Sequence, residues 1–429
     1  MNALWQGSAR ALYATVLRAA TPLYLLRLWR RGAREPGYRQ ALGERLGLYR
    51  GAVPAPGLVW VHAVSLGETR AAAPLIGALR ELQPGLRLLL THGTATGRHA
   101  GLALLQPGDH QAWLPYDTPG AAQRFLRRFQ PAVGVLMETE LWPSLMREAE
   151  RARVPVVLAN ARLSERSARK GRRLAALMHP AARRLSLALA QTPPDAERLL
   201  AAGTPQVLIS GNLKFDMTPS PAQLTLGRQW RAGLNRSVVM AACTREGEEV
   251  PLLAAWRSLP EPRPLLLIVP RHPQRFDEVA SLVRAAGLSL ARRSSWSGTP
   301  PPEALPADVW LGDSMREMAL YYATARAALL GGSFEPLGGQ NLIEAAACAC
   351  PVVMGPHTFN FAEAAELSLA AGAALRAATM DDAIEQATRL VADTPRCERA
   401  SADAARFAAQ HQGAAQRMAR RIAGLMPTA

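Results

Sequence analysis

The residues of this 429-residue chain best suited to chemistry sit at the ends of short apolar runs. The run LVWVHAVSLGET leaves His62, Ser65, Gly67 and Glu68 where a strand gives way to a helix starting near Thr69. A glycine there lets the chain turn and lets a substrate approach the backbone closely. Glu68 alone reads as a first-turn acid favoured by the helix dipole. In a binding site the same group reads as a general base that takes a proton from a hydroxyl nucleophile. METELWP sets Glu138 and Glu140 directly after another apolar run. Carboxylates at the end of a buried strand are costly unless paired or used. A spacing of two on an extended chain points both to one side, where like-charge repulsion raises one pKa. For Glu140 the better reading is an N-terminal cap for a helix starting near Pro143. GNLKFD carries Lys214, which with Lys170 makes up all the lysine among 50 basic residues. A point charge in a chain that otherwise uses the arginine fork suits an oxyanion or a phosphate; the plain alternative is a surface lysine near a linker.

A second set lies further along. VPRHPQRF gives Pro270, Arg271 and His272 at a strand end, and GDSMREM gives Asp313 to Met318, including Met315, Arg316 and Glu317. GGSFEPLGGQNLIEAAA is a Gly-rich loop running into a helix with Asn341, Leu342, Ile343 and Glu344 in its opening turn. Three such loops along one domain look like a nucleotide site. There is no P-loop lysine motif and no G-x-G-x-x-G after a first strand, which argues against an ATPase and a dehydrogenase. No Asp-x-Asp pair is placed as a metal ligand. GTATG (93–97) resembles a weak anion-binding turn, and NARLSERS (160–167) mixes hydroxyls with Arg162 and Arg166, a setting for an acidic acceptor. The four cysteines form no C-x-x-C pair and read as small buried thiols.

The elements that must position these residues follow the rhythm of a doubly wound sheet. Expected strands are Leu58 to Val64, Leu86 to Thr91, Ala132 to Met137, Val154 to Ala159 and Gln206 to Ser210. They restart with Ser237 to Ala242, Pro264 to Val269, Ala307 to Leu311, Ala327 to Gly331 and Pro351 to Met354. The strand rhythm lapses around Pro219 and Pro221. The expected domains are a membrane-associating helix with a basic flank (1–35), a Rossmann-like acceptor domain (36–215), a linker (216–235) and a Rossmann-like CMP-sugar domain with C-terminal helices (236–429), with a cleft between the two domains. The net charge of +16 is concentrated in two places, residues 1–50 with nine Arg against two Glu and residues 151–184 with nine Arg and Lys170 against Glu165. ALYATVLRAATPLYLLRLW (11–29) is apolar but broken by Arg18, Pro22 and Arg27. It suits neither a signal peptide nor a spanning helix. It suits a helix lying in an interface, with Arg27, Arg30, Arg31 and Arg34 meeting anionic head groups; the alternative is an amphipathic helix packed on the protein's own core. A basic RNA-binding protein is the reading from another class, but no RNA-binding motif supports a nucleic-acid partner.

In order along the chain, HAVSLGE, LPYDTP, METELWP, NARLSERS, GNLKFD, VPRHPQRF, GDSM, GGS, NLIEAAA and MGPHTFNF resemble the Kdo (3-deoxy-D-manno-octulosonic acid) transferases of lipopolysaccharide assembly. The resemblance implies an α/β GT-B glycosyltransferase fold with the donor mainly in the second domain, and neither metal nor cofactor. It implies Glu68 as proton acceptor and Glu138 and Lys214 as transition-state stabilisers. It implies CMP contacts from Pro270, Arg271, Met315, Arg316, Glu317 and Asn341 through Glu344. Arg245 in CTREGEE and Gln340 before Asn341 depart from the family, where many members have His. The expected reaction is inverting transfer of Kdo from CMP-Kdo to the lipid A precursor (lipid IVA), at the cytoplasmic face of the inner membrane, with the anionic membrane surface as a partner. The alternative is another GT-B enzyme moving a UDP-sugar to a lipid acceptor.

Overall fold

A computed structural model describes residues 3–426 of the chain. The apolar runs form two parallel sheets of seven strands each. The first holds β1 (Val59–His62), β2 (Leu88–His92), β3 (His110–Trp113), β4 (Val133–Met137), β5 (Val156–Ala161), β6 (Leu187–Ala190) and β7 (Val207–Ile209), in the order β3-β2-β1-β4-β5-β6-β7. β1, β2, β4, β5 and β6 are buried along their whole length, as a parallel sheet covered on both faces requires. Val59 pairs with Leu88 on one side and Val133 on the other. The winding direction therefore reverses between β1 and β4, and beyond the carboxyl ends of strands at such a reversal α/β sheets bind their ligands.

The second sheet holds β8 (Val238–Thr244), β9 (Leu265–Pro270), β10 (Leu290–Arg292), β11 (Val309–Leu311), β12 (Ala327–Leu330), β13 (Val352–Met354) and β14 (Ala374–Arg376), in the order β10-β11-β9-β8-β12-β13-β14. Its reversal falls between β8 and β12. On one face of the first sheet Val61, Leu90 and Val135 pack on Leu75, Ile76 and Leu79 of the helix Leu66–Leu82. On the other face Trp60, Leu89 and Leu158 pack on Phe125, Phe129 and Leu145. Each such side chain, fully buried, contributes roughly 1.5–3 kcal/mol.

The chain forms two compact units, residues up to Asp216 together with those from Gln412 onward, and Met217–His411. Two expected boundaries are corrected. The stretch read as a linker is mostly the helix Pro221–Ala232, a folded part of the second unit: Gly227 and Trp230 are buried, and the Trp230 ring meets Trp310 edge-on at 5.9 Å. Pro221 opens this helix at its first turn, a position that suits proline. The C-terminal helix Ala414–Ala423 was expected in the second domain and belongs to the first unit. There Met418 and Ile422 join the core beside Leu75, and the Asp216 carboxylate accepts from the backbone N–H of Gly413, Ala414 and Ala415.

The N-terminal helix runs from Ala3 to Arg31 with Pro22 inside it. It is tied to the first unit by the Tyr13 hydroxyl, which donates to Asp117 at 3.0 Å, and by buried Ala14. Leu12, Val16, Leu23, Leu26 and Trp29 are exposed. Among the described residues no helix is long and apolar enough to cross a membrane.

Candidate functional site

Glu68 stands in the first turn of the helix Leu66–Leu82, directly after β1. Ser65 caps this helix: its hydroxyl accepts from the Glu68 N–H at 3.4 Å and donates to Glu68 Oε1 at 2.9 Å. Oε2 accepts from the Val64 N–H at 2.8 Å. This close relative of a capping box fixes the carboxylate while using two of its roughly four acceptor sites. Partial burial pushes the carboxyl pKa up; the Val64 and Ser65 hydrogen bonds pull it down and the Glu138 charge adds to the rise. GTATG has a structural task here. The Gly93 and Thr94 N–H groups both donate to the Val64 carbonyl, at 3.1 and 2.9 Å, so they are not free for an anion. A Cβ on Gly97 would stand 3.0 Å from the Ser65 carbonyl carbon, so a larger residue there would press on the Ser65 turn. His62 is buried with its ring nitrogen on Thr91, and burial lowers its pKa to about 3, which leaves it neutral and away from chemistry.

Glu138 follows β4, the neighbour of β1 across the reversal. It does not continue the strand, because its φ of 59° is left-handed and turns the chain. The extended geometry expected for Glu138 and Glu140 is therefore replaced by a turn. Nor does Glu140 cap the next helix, Pro143–Arg151. That task falls to Asp117, whose carboxylate accepts from the Ser144 and Leu145 N–H groups at 2.9 and 2.7 Å. Glu140 is instead pushed up to about 7, by burial first, then by the Glu68 charge, and also by Glu138; the Trp142 indole offsets part of this. Three carboxylates thus lie within electrostatic reach at the reversal of the first sheet.

Lys214 lies in the short turn Leu213–Phe215, which packs against both the Leu66–Leu82 and Ala414–Ala423 helices. Buried Asn160, at the end of β5 with a φ of 52°, accepts from the Leu213 N–H at 3.0 Å. Asn212 accepts from the Lys214 N–H at 3.0 Å, and its own amide donates to Gln191 at 3.0 Å. The Arg162 N–H donates to the Glu138 carbonyl at 3.2 Å. The β4, β5, β6 and β7 ends are thereby laced together under Lys214 and Glu138. Sequence reasoning missed Gln191 and Asn212; an amide at each of two successive strand ends was the available signal.

In the second unit Pro270 ends β9, and the Arg271 N–H donates to the Thr244 carbonyl at 3.0 Å. The Arg271 guanidinium donates to Gln340 Oε1 at 3.2 Å, so Gln340 orients this arginine. Arg316 has a φ of 66° and Met315 is exposed. Arg316 and Glu344 share a cavity of about 170 Å³ with Met217, Ser220 and Gln223. Burial raises the Glu344 pKa, with Arg271 opposing. Asn341 caps the helix Leu342–Ala347 by accepting from the Ile343 N–H at 3.1 Å. Leu342 and Ile343 bury their side chains, so they offer a ligand only backbone. Glu317 is engaged by Arg293 at 2.9 Å and by the Ser314 hydroxyl. Buried Glu248, overlooked in the sequence, accepts from the N–H of Arg245 at 2.9 Å, Gly332 at 2.8 Å and Phe334 at 3.2 Å. It clamps the loops after β8 and β12 to one another. Among the described residues no group of His, Cys, Asp and Glu is arranged to hold a metal ion.

A family model described as 3-deoxy-D-manno-octulosonic-acid transferase (kdotransferase) matches residues 40–217. The 3-deoxy-D-manno-octulosonic acid transferase of Bordetella pertussis is 47% identical over 421 residues, 95% of this chain and 97% of that protein. The enzyme of the same name from Haemophilus influenzae is 35% identical, over 88% of this chain and 89% of its own. The crystal structure of Anabaena HepE in complex with UDP overlays with a TM-score of 0.56 at 15% identity, covering 86% of this chain and 100% of that one. The likeness is one of fold, two parallel-sheet α/β domains resembling GT-B glycosyltransferases.

Proposed function

The chain belongs to the Kdo transferase family and is a glycosyltransferase of lipopolysaccharide biosynthesis, and from that premise we propose that it moves Kdo from CMP-Kdo to a primary hydroxyl of the lipid A precursor with inversion. Glu68 accepts the hydroxyl proton as that oxygen attacks the anomeric carbon of Kdo. The bond from that carbon to the phosphate oxygen breaks, and CMP leaves with the electron pair. Glu138 and Lys214 stabilise charge that develops along the way. Arg271, Arg316 and the loops carrying Met315, Glu317 and Asn341 through Glu344 hold the CMP part, and no step is routed through a metal. The observation that carries this reading is the fixed, partly buried Glu68 at the reversal of the first sheet, with hydrogen-bond capacity to spare.

The exposed apolar row of the N-terminal helix and the basic stretch 151–184 support a location on the cytoplasmic face of the inner membrane, where arginines near anionic lipid each add about 1 kcal/mol. Incubation of the purified protein with CMP-Kdo and a tetraacylated lipid A precursor, followed by mass spectrometry of the lipid, tests the reaction. Lipid heavier by whole Kdo units, formed also in excess EDTA and inhibited by CMP, is the expected result. Inhibition by UDP instead, with a UDP-sugar consumed, would replace the donor assignment.

A further inference from the structure

We propose that a cavity in the first unit, walled by Arg10 of the N-terminal helix and Arg147 of the helix Pro143–Arg151, binds a phosphomonoester carried by a membrane lipid. The cavity measures about 180 Å³ and is also lined by Gly7, Tyr13, Ser144 and Glu148. Two guanidiniums face it and the carboxylates around it are committed elsewhere. Glu148 is paired with Arg151 at 3.0 Å and Glu150 with Arg184 at 2.7 Å. Asp117 accepts from Tyr13 and from the Ser144 and Leu145 N–H groups. Among the described residues Arg10 donates only through its Nε, to the Gln6 carbonyl at 3.1 Å. Among the described residues neither the Arg147 guanidinium nor the Ser144 hydroxyl has a hydrogen-bond or ion-pair partner.

Half-buried arginines that outnumber the carboxylates around them repel one another. The Arg10 pKa is lowered by burial first and then by the positive field of Arg147, Arg184 and Arg151, with Glu150 opposing. A doubly charged anion with several acceptor oxygens relieves that repulsion and satisfies both forks, which is the recognition arginine performs best. The lipid source follows from the same helix. That helix exposes Leu12 and Val16, apolar surface by which it can lie against a membrane. The choice of a lipid over a free ion rests on the lipid-acceptor reading above; the cavity chemistry does not.

The test is co-sedimentation of the full chain with phosphatidylcholine vesicles containing either phosphatidic acid, a phosphomonoester, or phosphatidylserine at matched surface charge. The wild-type chain is expected to prefer phosphatidic acid by about tenfold, R10Q/R147Q to lose that preference, and R10K/R147K to keep part of it, since charge stays but the planar fork goes. Millimolar inorganic phosphate should erase the wild-type preference. A wild-type chain without preference, or an R10Q/R147Q chain that keeps it, overturns the proposal. Arginine-dependent binding of inorganic phosphate without lipid preference overturns the lipid source. If R10Q/R147Q fails to fold, the phosphate competition and R10K/R147K carry the decision. No arm measures Kdo transfer, so failure here is distinguishable from failure of the proposed reaction.

Discussion

Replacing Glu140 with glutamine should stabilise the protein at alkaline pH and leave it unchanged in acid. Burial and the neighbouring charges of Glu68 and Glu138 hold the folded pKa near 7 against an ordinary 4.5. That gap, at about 1.36 kcal/mol for each pH unit, amounts to about 3 kcal/mol. Below pH 4.5 the carboxyl is protonated in both folded and unfolded chains and contributes nothing. As pH rises from 4.5 to about 7 the unfolded chain releases the proton first, so stability falls, and above that the whole cost is present. The glutamine amide carries no charge and escapes it. In a unit of this size about 1 kcal/mol moves the melting temperature by roughly 2–4 °C, so E140Q should melt roughly 6–12 °C above wild type at about pH 8 and level with it at about pH 4.5. Thermal melts of both proteins across that interval provide the measurement. In an E68Q background the gain should shrink, because the Glu68 charge is removed, yet persist, because burial is the larger cause. A difference that stays flat across this pH range, or an E140Q protein less stable on the alkaline side, would refute the charge crowding inferred at the reversal.

E68Q should lower transfer by roughly 10²–10⁴, the contribution of a positioned base, while CMP-Kdo binding measured by calorimetry is unchanged. N160A removes the acceptor of the Leu213 N–H and places alanine at a left-handed φ, so it should cost about 1–3 kcal/mol in urea unfolding and lower kcat as the Lys214 turn loosens. R271K keeps the charge and discards the fork, and should raise the inhibition constant of CMP by about tenfold. D216A strips the cap from the helix Ala414–Ala423 and should cost about 1–2 kcal/mol, read as a lower melting temperature.

The sequence alone determined what local chemistry determines. Continuous apolar runs ending in Gly, Ser, Asn or Glu marked the central strands and the loops beyond them, because a strand buried on both faces has little choice of composition. Motif order carried the family, and with it the reaction class. The strands β3, β10 and β14 stayed hidden because they are short edge strands, and β6, with LALA, because its composition reads as helical. What only the tertiary structure decided were pairings between residues far apart in the chain. The reversal of strand order brings Glu68 within the field of Glu138, which lies three strands further along the sequence. Asp117 takes the helix cap that local spacing assigned to Glu140, and Glu140 becomes a crowded, half-neutral acid. The last helix returns to the first unit because Met418 and Ile422 find their apolar surface there. Burial and charge act through space, and no window along the chain contains the neighbours that fix them.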